Sequence, residues 1–279
     1  MAKKLDPQRL RQLELLLRWE GQIGNARLRE LLGLSSIRAS QWLREFREAE
    51  PRWALWNSVT RSFHATPEFY RHKVPDMTES LGRYLSLVGL PSAMEADSKD
   101  VVVAAFPDIS TPNPHIFAVL SGASRLGRLV EITYRSMREP TPHKRIISPH
   151  SIVHAGRRWH VRAYSELNKQ FRDYALGRIS SAKLLPQAAE FLMKDDKDWM
   201  TEVPVRLIAH PDLSQEQESL IRFEYFNDTS ARVTTCRGPL VQYFIQDVRA
   251  AIDIKMQRPP EYQLAVANIK EIRQWLFPS

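Results

Sequence analysis

Cysteine is nearly missing from this chain: Cys236 is the one thiol among 279 residues. That excludes an intramolecular disulfide and a cysteine-based zinc cluster. Long apolar runs are missing as well, and none reaches the roughly 18 residues that a bilayer span needs. The opening Met1-Ala2-Lys3-Lys4-Leu5-Asp6 is basic but lacks the apolar core of a signal peptide. There is no Gly-rich phosphate loop and no nucleophile elbow. His143, His150, His154 and His160 lie near one another in sequence, yet no Asp, Glu or Cys accompanies them at metal-ligand spacing. The expectation is a soluble, cytoplasmic protein in a reducing setting, with no membrane partner, cofactor, metal or catalytic residue.

What the chain does have is positive charge in two places. Residues 1–73 carry 14 Lys/Arg against 8 Asp/Glu, and residues 125–186 carry 13 against 4. The remainder is acidic, 13 against 20, so the net +8 hides two basic segments in an acidic background. Segregated cations of this kind suit polyanion partners. With 43% hydrophobic and 26% charged residues, ordinary buried cores are expected, divided over two or three domains at this length.

The first basic segment reads as helix, short helix, glycine turn, helix. Asp6-Pro7 starts a helix whose Leu10, Leu13, Leu16 and Leu17 recur at helical spacing; Gly21 and Gly24 end it. Ala26 to Leu32 is a second helix closed by Gly33, and Ser35 caps a third that runs to about Glu48. This is the layout of a helix-turn-helix. In the third helix Ala39, Leu43 and Phe46 face inward, while Ser36, Ile37, Arg38, Ser40, Gln41 and Arg44 face outward. Arg and Gln match guanine and adenine edges, and an exposed Ile can meet a thymine methyl. With Arg27 and Ser35 at the turn, these are the expected DNA contacts. Trp53 to Trp56 and Val59 to His64, joined at Asn57-Ser58, read as a hairpin wing that brings Arg52 and Arg61 to the phosphates. A helix over Met77–Leu90 capped by Thr78, a linker over Pro91–Lys99 and a buried strand over Val101–Phe106 follow.

The second basic segment reads as a helix from His115 to Leu126 and about five short antiparallel strands, a count that fits a small SH3-like or OB-like barrel. Its central strand, from Arg157, alternates Trp159, Val161 and Ala163 against Arg158, His160, Arg162 and Tyr164; the next runs from Phe171 to Ile179. Tyr134, Ser136, Arg145, His150, His160, Arg162, Arg172 and Arg178 supply cations, hydroxyls and an aromatic ring. Such groups hold phosphate and stack a base.

Arg157-Arg158-Trp159-His160-Val161-Arg162-Ala163-Tyr164, with Tyr134, Arg145 and Pro149 before it and Arg172 to Ile179 after it, resembles a WYL domain over residues 115–186. The name-giving Trp-Tyr-Leu is here Trp159-His160-Val161, so His160 departs from the family pattern. The whole chain resembles the WYL regulators of BrxR/CapW type found beside phage-defence operons of the BREX and CBASS kinds. The resemblance implies a ligand-sensing SH3/Sm-like barrel, a preceding winged helix and a small C-terminal domain involved in dimer contacts.

After Trp199, strand 203–209, helix 214–223, strand 231–236 and helix 239–250 make a small α/β unit, with a last helix over Gln263–Leu276 and Cys236 as a core thiol. The expected fold is α+β and multidomain: winged helix-turn-helix 1–95, WYL sensor 96–188, WCX-like dimerisation domain 189–279. The expected function is a homodimeric repressor that binds double-stranded operator DNA with an inverted repeat, modulated by an anionic nucleotide-like or oligonucleotide effector. Two rivals are a single-strand nucleic-acid or RNA-binding protein and a nucleotide-processing enzyme.

Overall fold

Asp6 starts the first helix as its chemistry requires: its carboxylate accepts from the Gln8 amide at 2.8 Å, and Pro7 occupies the first turn. The computed structural model describes residues 6–74, 76–93, 101–105, 110–156 and 158–276. The leading Met1–Leu5, most of the expected linker, Phe106 and Arg157 lie outside the described residues. The chain divides into two units, Met1–Pro107 and Asp108–Ser279.

The first unit runs α1 (Pro7–Glu20), β1 (Gln22–Gly24), α2 (Asn25–Leu32), α3 (Ser36–Ala49), β2 (Ala54–Asn57), β3 (Ser62–Ala65), α4 (Pro67–Arg71) and α5 (Met77–Val88). Gly21 ends α1 with φ +71°, a left-handed turn that a side chain resists, and so lets the chain reverse into β1. The three strands pair antiparallel in the order β1-β3-β2. β1 is absent from the sequence reading because three residues carry too little alternation. Leu13, Leu16 and Leu17 of α1 meet Leu28, Leu43 and Phe46 in one core. At about 1.5–3 kcal/mol for each large side chain buried, this core holds α3 in place. α5 is capped by Asp76, which accepts from the Glu79 amide at 2.9 Å, rather than by Thr78. The expected strand at Val101 is reduced, among the described residues, to one bridge between Ser92 and Ala104.

The second unit opens with α6 (Pro114–Leu126), capped by Asn113, and continues with β4 (Arg128–Tyr134), β5 (His143–Ala155), β6 (Arg158–Ser165), β7 (Gln170–Ala175) and β8 (Ile179–Ala188). Their order is β7-β6-β5-β4-β8, antiparallel throughout, with a bulge at Pro149/Ser151 where proline cannot donate to the ladder. β7 and β8 are edges: among the described residues no sheet closes, so the structure does not show a closed SH3/Sm-like barrel. β7 also stops at Ala175, where a 3₁₀ turn over Leu176–Arg178 leads into β8. Ile116, Leu120 and Ala123 of α6 cover the face built by Val130, Ile132, Ile147 and Val161.

A second sheet follows, from α7 (Lys197–Met200), β9 (Glu202–Ala209), α8 (Gln215–Phe226), β10 (Arg232–Arg237), α9 (Val241–Asp247), β11 (Ala250–Ala251), β12 (Leu264–Val266) and α10 (Ile269–Ile272). The order is β10-β9-β12-β11. Ser214 and Gln217 form a reciprocal capping box at α8, as the sequence pattern implies. The expected helix over Gln263–Leu276 is instead β12, α10 and a 3₁₀ turn, because Leu264, Ala265 and Val266 fill a central position beside β9. The helix expected over 239–250 shortens to α9 for the same reason: Ala250 and Ala251 are drawn into β11. Cys236 is half-buried against this core, and burial pushes its thiol up.

Candidate nucleic-acid interface and sensor pocket

α3 begins at Ser35, whose hydroxyl accepts from the Arg38 amide at 3.3 Å. Ala39, Leu43 and Phe46 are buried, so the helix phase is set and Ile37, Arg38 and Arg44 must face water. Ile37 is 82% exposed, an unfavourable place for an aliphatic side chain unless something meets it. Asn25 ties α2 to α3: its amide donates to the Ser36 carbonyl and to the Ser40 hydroxyl, both at 2.8 Å. Asn25 is absent from the sequence-based set, although an Asn opening a helix after Gly24 was a visible signal. Gln41 donates to Glu45 at 2.7 Å along the same helix. Among the described residues no carboxylate pairs with Arg38, Arg44, Arg47 or Arg61.

Arg27 does not belong with these. Its guanidinium binds Glu20 at 2.7 Å and Glu30 at 3.1 Å, joining α1 to α2. The hydrogen bond to Glu20 raises its pKa and outweighs the opposing effect of burial. Arg27 is thus ion-paired within the fold, and it also lines the concavity beside α3.

The wing is β2 and β3, but its turn is longer than the two residues expected. Asn57 accepts from the amides of Val59 and Thr60 at 2.9 and 3.2 Å, an Asx turn that occupies residues 58–61 and leaves Arg61 exposed at φ 52°. Trp53 packs on Phe69 at 5.3 Å, and Trp56 on Phe63 at 5.0 Å. Arg52 pairs with Glu68 at 3.2 Å in the open. A concavity of about 1640 Å³ beside α3 and the wing is lined by Arg29, Ser36, Ser40, Arg44, Arg47 and Arg61, among others.

The cationic face of β6 is different in kind. Arg162 is 6% exposed and Asp196 1%. The Arg162 guanidinium donates to Asp196 at 2.7 and 3.2 Å and to Asp173 at 3.4 Å. Asp196 also lies 3.2 Å from His150 Nε2 and accepts from the Trp199 amide at 3.1 Å, capping α7. Burial alone would raise the Asp196 carboxyl, but hydrogen bonds from His150 and Arg162 hold it well below the usual carboxylate range. Asp173 goes the other way: burial raises it against the pull of Arg162. Arg162 and His150 thus both find their partner in Asp196 within the fold.

Three further residues of the expected set lie elsewhere. Arg145 pairs with Glu139 at 2.7 Å, and the Ser136 hydroxyl accepts from the Glu139 amide at 2.9 Å, so both organise the loop between β4 and β5. Arg172 is exposed on the edge strand β7 and does not line the pocket.

Tyr134, His160 and Arg178 do come together. They line a pocket of about 790 Å³ with Arg158, Asp173 and, from the second sheet's side, Tyr243, Gln246, Asp247 and Arg249. His160 is 9% exposed and packs against Tyr243 with ring centroids 5.1 Å apart and planes tilted by 44°. Burial, then Arg158 and Arg178, lower its pKa. The Tyr243 phenol is pushed up to about 12 by burial, with Asp173 adding to it. Arg158 and the residues after β10 escape the sequence-based set because nothing local marks α9 as the neighbour of β6. Among the described residues no cluster of His, Cys, Asp and Glu could hold a metal, and no helix is long and apolar enough to cross a membrane.

Comparison with known families places three models along the chain. A BrxR transcriptional regulator winged helix-turn-helix domain matches residues 6–89, a WYL domain 115–184, and a BrxR transcriptional regulator C-terminal dimerization domain 202–272. The DNA-binding transcriptional repressor CapW of Pseudomonas aeruginosa is 32% identical over 272 residues, 95% of this chain and 90% of that protein. CapW of Escherichia coli is 31% identical over 271 residues, and CapW of Stenotrophomonas maltophilia 25% over 275. Among solved structures, Proteasome accessory factor B/C (PafBC) of Arthrobacter aurescens aligns with 98% of this chain at 13% identity and a TM-score of 0.27; the chain spans 48% of its length.

Proposed function

This chain belongs to the family of WYL-domain transcriptional regulators that includes the CapW repressors, and we propose that it is a homodimeric, effector-responsive repressor of a phage-defence operon. The observation that carries the DNA-binding half is the outer face of α3: an exposed Ile37 among Arg38, Arg44 and Arg47, none of which meets a carboxylate among the described residues. The buried Arg162, by contrast, is held by Asp173 and Asp196. A helix that keeps its guanidinium groups free keeps them for an anion, and the major groove is where a winged-helix recognition helix finds one. Ser35, Ser36, Ser40 and Gln41 line or cap the same face, and Arg52 and Arg61 reach the flanking phosphates from the wing. A two-fold dimer, formed through the C-terminal segment, favours an inverted repeat.

The sensor half rests on Tyr134, His160 and Arg178 at the β6 pocket, with Arg172 as an outlying cation. An anionic effector there weakens operator binding by preferring the conformation that does not fit DNA.

The test is binding of the full-length dimer to the DNA upstream of its own coding region, followed by fluorescence anisotropy. Arg38→Ala and Arg44→Ala should each weaken binding tenfold or more. Unchanged affinity in both would sink the assignment of α3 as the reading helix.

A further inference from the structure

Asn25 opens α2 and spends its whole amide inside the fold. Its Nδ2 donates to the Ser36 carbonyl and to the Ser40 hydroxyl, both at 2.8 Å, and its Oδ1 accepts from the Ser36 hydroxyl at 3.4 Å. That uses both hydrogens of the amide and leaves none for DNA. The two partners are the first residue of α3 and the residue one turn further on, both exposed on the side that carries Ile37 and Arg44. Resting on the reading of α3 as the recognition helix, we propose that Asn25 is a positioning residue for base recognition. It aims the Ser40 hydroxyl proton outward, at a hydrogen-bond acceptor on a base edge in the major groove.

The polarity follows from one contact. A backbone carbonyl cannot donate, so the Asn25 atom 2.8 Å from the Ser36 carbonyl must be the amide nitrogen. The same nitrogen reaches Ser40, whose oxygen therefore accepts. The Ser40 proton points elsewhere, and among the described residues no acceptor meets it. Ser36 differs, because its own proton turns inward to Asn25. Of the two serines, Ser40 is thus the one that offers a proton to a partner. Purine N7, guanine O6 and thymine O4 accept such a proton, whereas cytosine presents only its amino group. Ser40 lies in the N-terminal half of α3, the part of a recognition helix that usually meets base edges. The bridge also spans the turn between the two helices. That turn passes through Gly33 at φ +61°, with open space where a side chain would stand. Tying Asn25 to both Ser36 and Ser40 holds α2 and α3 at one angle across it. Loss of the bridge should therefore act on sequence discrimination, which rests on directed hydrogen bonds, more than on the general attraction to phosphate.

Fluorescence anisotropy on the full-length protein tests this with two duplexes: the DNA upstream of its own coding region and an unrelated sequence of the same length. Asn25→Ala should weaken binding to the upstream duplex about tenfold or more. Binding to the unrelated duplex, and its salt dependence, should stay within about twofold of the wild type. Ser40→Ala removes one hydroxyl from an exposed position and keeps a good helix former there, and it should lose several-fold on the upstream duplex alone. Because Asn25 acts through Ser40, adding Asn25→Ala to the Ser40→Ala protein should cost less than about threefold more. Among single-base variants of the upstream duplex, the wild type should disfavour cytosine at one position of each half-site, and both single variants should flatten that preference. If Asn25→Ala or Ser40→Ala bound the upstream duplex as the wild type does while Arg44→Ala weakened it, the inference would be refuted and the recognition helix would stand. Equal losses on both duplexes would overturn it too, placing Asn25 in the fold alone or the Ser40 proton on a phosphate. A full tenfold loss in the Ser40→Ala background would rule out the route through Ser40. Upstream binding untouched by both Arg38→Ala and Arg44→Ala would remove the reading of α3, and this inference with it.

Discussion

α3 and β6 carry similar cations to opposite ends. On α3, Arg38 and Arg44 are exposed and no carboxylate meets them among the described residues. On β6, Arg162 is buried and held by Asp196 and Asp173. Both segments are basic in sequence, and both invite an anion. The difference lies in what packs over them. α3 turns its arginines away from its core, whereas β6 has its polar face covered by the segment around Asp196 and by α9. An arginine in water is available to a partner at small desolvation cost. An arginine under a second layer must already have its partner within the fold.

The sharpest way to break this comparison is Arg162→Ala. It leaves Asp196 buried without its main counter-charge and should cost about 3–5 kcal/mol of stability in urea denaturation. A loss below about 1 kcal/mol would mean that the pair is not structural. The acid limb of stability probes the same group. The Asp196 carboxyl lies below its unfolded value of about 3.9. Its stabilisation is therefore present in full above about pH 5 and is lost as pH falls through the folded value. The stability gap between the wild type and Asp196→Asn should be constant from about pH 7 to 5 and narrow below about pH 4. A gap that widened on acidification would contradict the assignment.

On α3 the signature should invert. Arg44→Ala should change folding stability by no more than about 0.5 kcal/mol, yet cost about 1–3 kcal/mol in operator affinity. Arg38→Ala, if it touches phosphate, should lower the slope of log affinity against log salt by about one. Equal losses of stability and affinity would place these residues with Arg162 instead. The smallest effect belongs to Arg52→Ala. Its pair with Glu68 is exposed on both sides, and thermal denaturation should register less than about 1 kcal/mol.

The N-terminal unit was legible because its signals are local. Asp6 and Ser35 cap helices, Gly21 and Gly33 end them, and Ala39, Leu43 and Phe46 phase α3. Each acts within a turn or two of itself, which is the range over which sequence patterns carry information. The wing's turn was misread by two residues because an Asx turn at Asn57 resembles a tighter hairpin in composition. Asn25 was overlooked because its partners, Ser36 and Ser40, are 11 and 15 residues away.

The five-stranded sheet was legible as strands but not as a site. Of the expected effector residues, Tyr134, His160 and Arg178 line one pocket, while Arg145, His150 and Arg162 have carboxylates of their own. Asp196 lies 34 residues beyond Arg162, in a segment that looks like an acidic loop. Tyr243 lies further still from His160.

By itself the sequence determined the element types of most of the chain, the exposed face of α3 and the presence of two basic segments, because helix phase, strand alternation and capping depend on near neighbours. Only the tertiary structure decided which arginines remain available. That depends on whether a distant carboxylate is packed against them, and the cost of leaving a buried charge unpaired makes the answer all or nothing at each position.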